Sequence, residues 1–393
     1  MKTAPASRTT RLPLPRRITC AALIALIGAT LVAPAAEAES ALSQRLRALL
    51  EARLNGSGAN TDTTHPTAPS TPSTPAQPTS PGDWNPDANS SALQLAKPPF
   101  TLDGDNAYFV KDAAYGPDQR HRFDIFLPKN SYDRQTRLPL AIFIHGGGFS
   151  SGEKEKAYSS SNQKMIKALL AQGVAFATIN YPLISKKNEK DGLLKSLRGS
   201  QRALQYLKYE PRYNIDPNRV VLLGSSAGAS TALWLAFHDD MADLGSSDPV
   251  AQQSTRVQGV AATQTQATLD VVGWEPVFAE YNWSVDDMGS GAPNFYGASS
   301  SADLYTAATV AYRQEVDFLG MMDASDPEIW LATDGVPVKA PSSTGILYHH
   351  PYHVRTLRDK ARAVGLKASA NVPALKLADS NESMTDFILR KLR

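Results

Sequence analysis

Ser226 stands in "LLGSSAGAS", framed as Gly224-Ser225-Ser226-Ala227-Gly228 between an apolar run and a run of small residues. A serine on such a turn has its hydroxyl lifted clear of the chain, and the flanking glycines let neighbouring backbone pass close by. The chemistry this suits is acyl transfer, in which the hydroxyl attacks a carbonyl carbon while a base takes its proton. Attack builds negative charge on the carbonyl oxygen, and a second motif offers donors for that charge. In "FIHGGGFSSGEK" three glycines, Gly146 to Gly148, follow another apolar run. The N–H groups of Gly147, Gly148 and Ala227 are therefore the expected oxyanion hole. His145 is read as fixing this loop by hydrogen bonds rather than moving protons.

These motifs need rigid elements beneath them. "RFDIFLP", "LPLAIFIHGGG", "VAFATINYPL" and "RVVLLGSSAG" are short, nearly continuous apolar runs that predict strands, and "RVQGVAATQTQ", "EIWLATD" and "PALKLAD" predict three more. Between them, "NQKMIKALLAQG", "GLLKSLRGSQRALQYLKY", "ASTALWLAFHDDMA", "HVRTLRDKARAVG" and "SMTDFILRKL" predict helices. Apolar strands alternating with amphipathic helices indicate an α/β protein with a mostly parallel sheet covered on both faces. This domain is expected over residues 97–393. The stretch from Leu269 to Ser300 interleaves Trp274, Phe278, Tyr281, Trp283, Phe295 and Tyr296 with glycine and polar residues, as expected of a lid. Trp274, Tyr281 and Trp283 are its candidate substrate-binding residues.

Ahead of the domain the composition changes three times. Residues 1–38 carry Arg8, Arg11, Arg16 and Arg17, then "ITCAALIALIGATLVA", then "AEA", which reads as an export signal cleaved after Ala38 and places the mature protein in the periplasm or outside the cell. The apolar run is short for a membrane span, so no stable span is expected after cleavage. Residues 39–55 space Leu42, Leu46, Leu49, Leu50 and Leu54 along one side of a short amphipathic helix, and residues 56–96 are a Pro/Ser/Thr-rich linker too polar to bury a core. The single cysteine, Cys20, lies in the signal, which removes disulfides, thiol catalysis and cysteine-bound metals from the mature chain. A formal charge of +2 gives no reason to expect a nucleic-acid partner. The expected partner is a small-molecule or carbohydrate ester, and the oligomeric state stays open.

The two motifs, together with "INYPL", "ALQYLKYEPRYNIDPNRVVLLGSSAGAS" and "DASDPEIWLATD", resemble the α/β-hydrolases of the esterase and lipase group that carry His-Gly-Gly-Gly, including feruloyl-esterase-like and acetylesterase-like enzymes. The resemblance runs from about Tyr108 to the C-terminus, and "WLAFHDDMA" and "HHP" are similar to an exported bacterial subgroup. It implies an eight-stranded α/β-hydrolase sheet, hydrolysis of carboxylic esters without metal or organic cofactor, and a triad in the order serine, acid, histidine. By that pattern Asp334, closing "EIWLATD", is the candidate acid, with Asp323 and Asp326 less well placed before that strand. The histidine is missing from its usual loop, which here reads "DSNES".

That absence turns attention to "GILYHHPYHV", which holds three of the seven histidines. His238 lies 12 positions beyond Ser226 along one predicted helix, about 18 Å away at ~1.5 Å per residue, and is out of reach. His121 opens an early strand at the far side of the sheet, and His65 lies in the linker. His349, His350 and His353 remain as base candidates, with Asp379 as an alternative acid and Asp270 as another. A metal site is not expected, because adjacent histidines project in different directions and no carboxylate spacing accompanies them. Two functions follow: a serine esterase with a relocated base, or a degenerate hydrolase that binds a ligand without turning it over.

Overall fold

The computed structural model describes residues 93–132, 136–187 and 189–393. The expected export signal, the expected amphipathic helix and nearly all of the expected linker therefore lie outside the described residues. Leu93 is buried and Leu95 bridges to Val110, so the folded domain begins a few residues before the expected Lys97.

Among the described residues nine strands form one sheet: β1 (Ala107–Ala114), β2 (Arg122–Pro128), β3 (Leu138–Ile144), β4 (Ala175–Ile179), β5 (Ile215–Ser225), β6 (Gly259–Thr263), β7 (Glu328–Ala332), β8 (Ala368–Val372) and β9 (Leu377–Ala378). Their order is β1-β2-β4-β3-β5-β6-β7-β8-β9. From β4 to β8 neighbouring strands run parallel, and antiparallel strands flank them on both sides. Every residue of β3 is buried, as expected of a central strand covered on both faces.

Alternation along the strands divides the core in two. Val221 and Leu223 of β5 face helices α1 (Ser160–Ala171) and α7 (Met384–Lys391), whereas Val220 and Leu222 face α2 (Leu194–Tyr209), α3 (Ala227–Phe237) and α6 (Pro351–Val364). Between α3 and α6 come the lid segment, α4 (Ala307–Glu315) and the short helix α5 (Thr344–His349).

Three elements differ from the sequence reading. The eighth strand is "ASANV" at β8, not "PALKLAD", which folds as a turn and the two-residue β9. That turn is closed by Lys376 at φ 55°, and it accounts for nine strands where eight were expected. Helix α3 stops at Phe237, and His238 caps it in extended conformation instead of continuing it.

Candidate active site

The turn after β5 places Ser226 at φ 55° and ψ −128°, a conformation that a residue with a side chain rarely adopts. Its N–H is held by Thr263 O of β6 at 2.9 Å. The motif glycines are explained by crowding around this turn. A Cβ on Gly228 would lie 2.0 Å from Ile144 O, one on Gly224 2.6 Å from Gly228 C, and one on Gly146 2.5 Å from Ser225 O. The strained serine is thus locked between the ends of β3, β5 and β6.

After β3 the chain turns at Gly147, φ 140°, and Gly148, φ 59°, and the N–H groups of Ser150 and Ser151 close the turn on Gly147 O. Among the described residues neither the Gly147 nor the Gly148 N–H donates to a protein acceptor. The Ala227 N–H opens α3, where the first-turn donors have no partner within the helix. Gly146 to Gly148 and Ser226 line one cleft of about 900 Å³, shared with Lys156, Asn162 and Thr263. His145 behaves as expected of a loop-fixing residue: it stacks on Tyr181 at 4.3 Å, its Nδ1 lies 3.0 Å from Gly146 O, and burial depresses its pKa to about 4.

The histidine cluster separates into one residue that reaches the serine and two that do not. His349 Nε2 is 2.8 Å from Ser226 Oγ. Ser343 caps α5 by accepting from Ile346 N–H, and Pro351 starts α6 two residues after α5 ends, so His349 occupies the last position of a short, sharply stopped helix. Burial holds its imidazole below the ordinary histidine value, and the group that opposes this shift is the backbone carbonyl of Gly345. His350 accepts from Tyr352 N–H on Nδ1 and faces Lys339 O with Nε2. His353, fully buried, accepts from Ala267 N–H on Nδ1 and donates from Nε2 to Leu347 O. Both rings have both nitrogens engaged, which corrects the reading of His350 and His353 as candidate bases.

None of the expected carboxylates meets His349. Asp334 is exposed and its carboxylate accepts from Gln264 Nε2. Asp379 is taken by Arg358 and Arg362, and by the N–H of Ala370. Asp270 is paired twice with Arg313. Asp323 binds the turn at Ser325, and Asp326 accepts from Asp323 N–H, both before β7. The acid assignments to Asp334 and Asp379 are therefore not met by the geometry: among the described residues no hydrogen bond or ion pair joins His349 to a carboxylate.

The lid aromatics also sort themselves. Trp274 lines a second, apolar pocket of about 20 Å³ beside Ser226, together with Phe149, Leu269, Phe295 and Tyr348. Tyr281 instead stacks on Tyr352, and Trp283 packs between Trp274 and Phe278, so these two build the lid rather than line either pocket. The reason is local: a run of 3-10 turns over residues 271–288 folds the aromatic residues inward over His350 and His353. Tyr348 and Gln266 escaped the sequence reading, the first because it sat beside more conspicuous histidines. The second lay in "TQTQ", a polar stretch directly after a buried strand, and that change of character was the available signal.

A strained serine after β5, glycines with free N–H groups after β3 and a histidine on the serine hydroxyl, all at one edge of a mostly parallel sheet, are the arrangement of the α/β-hydrolase fold. Residues 123–313 match the BD-FAE family model. The chain is similar to a probable isoprenylcysteine alpha-carbonyl methylesterase of Arabidopsis thaliana, 27% identical over 152 residues that cover 38% of this chain and 29% of the relative. Probable carboxylesterase 1 of the same organism is 27% identical over 158 residues, 37% of this chain and 48% of the relative. The chain thus spans less than half the length of either relative. Among solved structures, a truncated form of carbohydrate esterase from gut microbiota superimposes with a TM-score of 0.54 at 17% identity, covering 74% of this chain and 98% of that one.

Proposed function

We propose that the protein is an exported serine esterase that hydrolyses carboxylic esters, with Ser226 as nucleophile and His349 as base. The observation that carries this reading is the 2.8 Å approach of His349 Nε2 to Ser226 Oγ. His349 takes the hydroxyl proton as Oγ attacks the ester carbonyl, and the N–H groups of Gly147, Gly148 and Ala227 receive the developing oxyanion. The tetrahedral intermediate collapses to an acyl-serine as His349 passes the proton to the departing alcohol. Water, deprotonated by the same imidazole, then releases the acid and restores the serine. The alternative of a ligand-binding module drew its force from a missing base, and His349 removes that motive. Export rests on the sequence of residues 1–38 alone.

The two pockets divide the ester between them. The cleft is open and carries Lys156, Asn162 and Thr263, which suits a bulky hydroxyl-rich alcohol such as a sugar, and the fold neighbour described as a carbohydrate esterase is consistent with that choice. The apolar pocket, at about 20 Å³, holds little more than one water-sized group, which suits the methyl of an acetyl ester. A fluorophosphonate probe is expected to label wild type and not Ser226→Ala; absence of wild-type labelling together with absence of turnover of nitrophenyl acetate would count against an esterase. Among active preparations, kcat/KM for nitrophenyl octanoate is expected at least about 10-fold below that for the acetate, since the longer chain must be accommodated by displacing packed side chains. Trp274→Ala is expected to narrow that gap, and equal rates in wild type would dismiss the pocket as an acyl site.

A further inference from the structure

Serine hydrolases of this general design orient their histidine through a carboxylate on the far ring nitrogen. Among the described residues no carboxylate takes that place and the ring has only the backbone carbonyl of Gly345 besides Ser226, yet the imidazole must be held to within a fraction of an ångström to work. The backbone leading into His349 shows another means. Gln266 Nε2 donates to Tyr348 O at 2.6 Å, one residue before the base. The other end of the same amide accepts from Ser230 Oγ at 2.8 Å, and Ser230 N–H bonds Ser226 O at 3.0 Å, one turn into the helix that carries the nucleophile. One side chain, 5% exposed, therefore ties the peptide of the base to the helix of the serine.

The next residue repeats the arrangement one step back. Ala267 N–H donates to His353 Nδ1 at 3.1 Å, which fixes the neutral tautomer with its proton on Nε2, and that proton is donated to Leu347 O at 2.9 Å. Consecutive residues of the loop after β6 thus act on consecutive carbonyls at the end of α5, Gln266 directly on Tyr348 O and Ala267 through the His353 ring on Leu347 O. That loop is anchored in turn on β6, whose last residue, Thr263, holds the Ser226 N–H.

We propose that Gln266 and His353 are positioning residues that hold His349 against Ser226, a task that no carboxylate among the described residues performs. The proposal rests on the reading of Ser226 and His349 as the reacting pair. Neither side chain needs to touch the reacting atoms; each fixes the backbone from which the imidazole projects. Gln266 also borders the small apolar pocket, so its effect must be separated from acyl binding.

The test compares full-length wild type with Gln266→Met, His353→Phe, His353→Gln and Asp334→Asn, using nitrophenyl acetate and butanoate and the rate of fluorophosphonate labelling of Ser226. Gln266→Met is expected to lower kcat by about 10²-fold, the cost of misplacing a reacting group by an ångström, with KM within a few-fold and the same loss for both esters. The labelling rate should fall in step. His353→Phe should fall similarly, and His353→Gln should recover most of the loss, because its amide can still donate to Leu347 O and accept from Ala267 N–H. Asp334→Asn should stay within about threefold, against the roughly 10⁴-fold loss expected of a triad carboxylate. The proposal is overturned if soluble, folded Gln266→Met keeps wild-type kcat, if its loss appears only with butanoate, or if Asp334→Asn abolishes turnover. Failure of wild type itself to label or turn over would instead fall on the underlying assignment of the reacting pair.

Discussion

Replacing His349 by alanine is expected to lower kcat by about 10⁴- to 10⁶-fold while KM moves only a few-fold, because the lost imidazole acts on the reacting atoms and contributes little to holding the ground-state ester. The neighbouring histidines offer no rescue, since His350 and His353 have both nitrogens committed to backbone groups. The residual rate should come from Gly147, Gly148 and Ala227, which the substitution leaves untouched. The pH dependence is part of the same expectation. The working form is the neutral imidazole, and burial depresses the His349 pKa below its ordinary value of 6.5. The neutral form therefore persists to lower pH, and kcat/KM is lost only as pH falls through that depressed value. A profile of kcat/KM against pH should show an acidic limb with its midpoint below 6.5, and the limb should vanish in His349→Ala. Retention of more than about a tenth of wild-type kcat, or a limb that survives the substitution, would transfer the role of base to another group.

How much of this was legible in the residues depends on whether the information was local. The turns at Ser226 and at Gly146 to Gly148 were legible because each is a short motif whose geometry is set by its own residues: a Cβ on Gly224 or Gly228 would lie 2.6 or 2.0 Å from neighbouring backbone. The central strands were legible for a similar reason, since a run such as "LPLAIFI" has only a doubly covered position to occupy. The eighth strand was misplaced because "ASANV" is short and half polar, and its identity comes from pairing with β7 rather than from its own pattern. For the site, the histidine cluster was reached by exclusion, but which of its three rings meets Ser226 is a question of where α5 stops. A shift of one residue in that helix end would turn a different ring toward Ser226. What surrounds the His349 peptide was beyond a local reading, because Gln266 lies 82 residues from the Tyr348 carbonyl it holds and Ala267 lies 86 residues from the His353 ring it binds.

The same separation in sequence governs what holds the glycine loop after β3. Lys154 closes the glycine motif, and its side chain is only 2% exposed, so its ammonium must be compensated in place. Burial alone would lower its pKa, yet hydrogen bonds to Asp112 and Glu155 and the charge of Asp124 hold it above its ordinary value. Of these three carboxylates Asp124 alone is completely buried, with Oδ1 3.3 Å from Lys154 Nζ and 2.7 Å from the Asp112 N–H, and Oδ2 accepting from Tyr158 OH. Asp124→Ala is therefore expected to cost about 3 kcal/mol, near the lower end of the range for breaking a buried ion pair, since the half-exposed Asp112 and Glu155 still reach the ammonium. Urea titration followed by tryptophan fluorescence measures this directly, and a loss below about 1 kcal/mol would mean that solvent, not Asp124, compensates Lys154. Activity should suffer beyond the loss of folded protein. The Lys154 N–H binds Asn180 Oδ1 at 2.7 Å and its carbonyl accepts from Thr178 Oγ1 at 2.8 Å, so the residue fastens the end of the glycine loop to β4. Pairing Asp124→Leu with Lys154→Met, which removes both buried charges, should restore most of the stability. It need not restore the rate, because packing would be regained while the set of the loop that presents Gly147 and Gly148 is not.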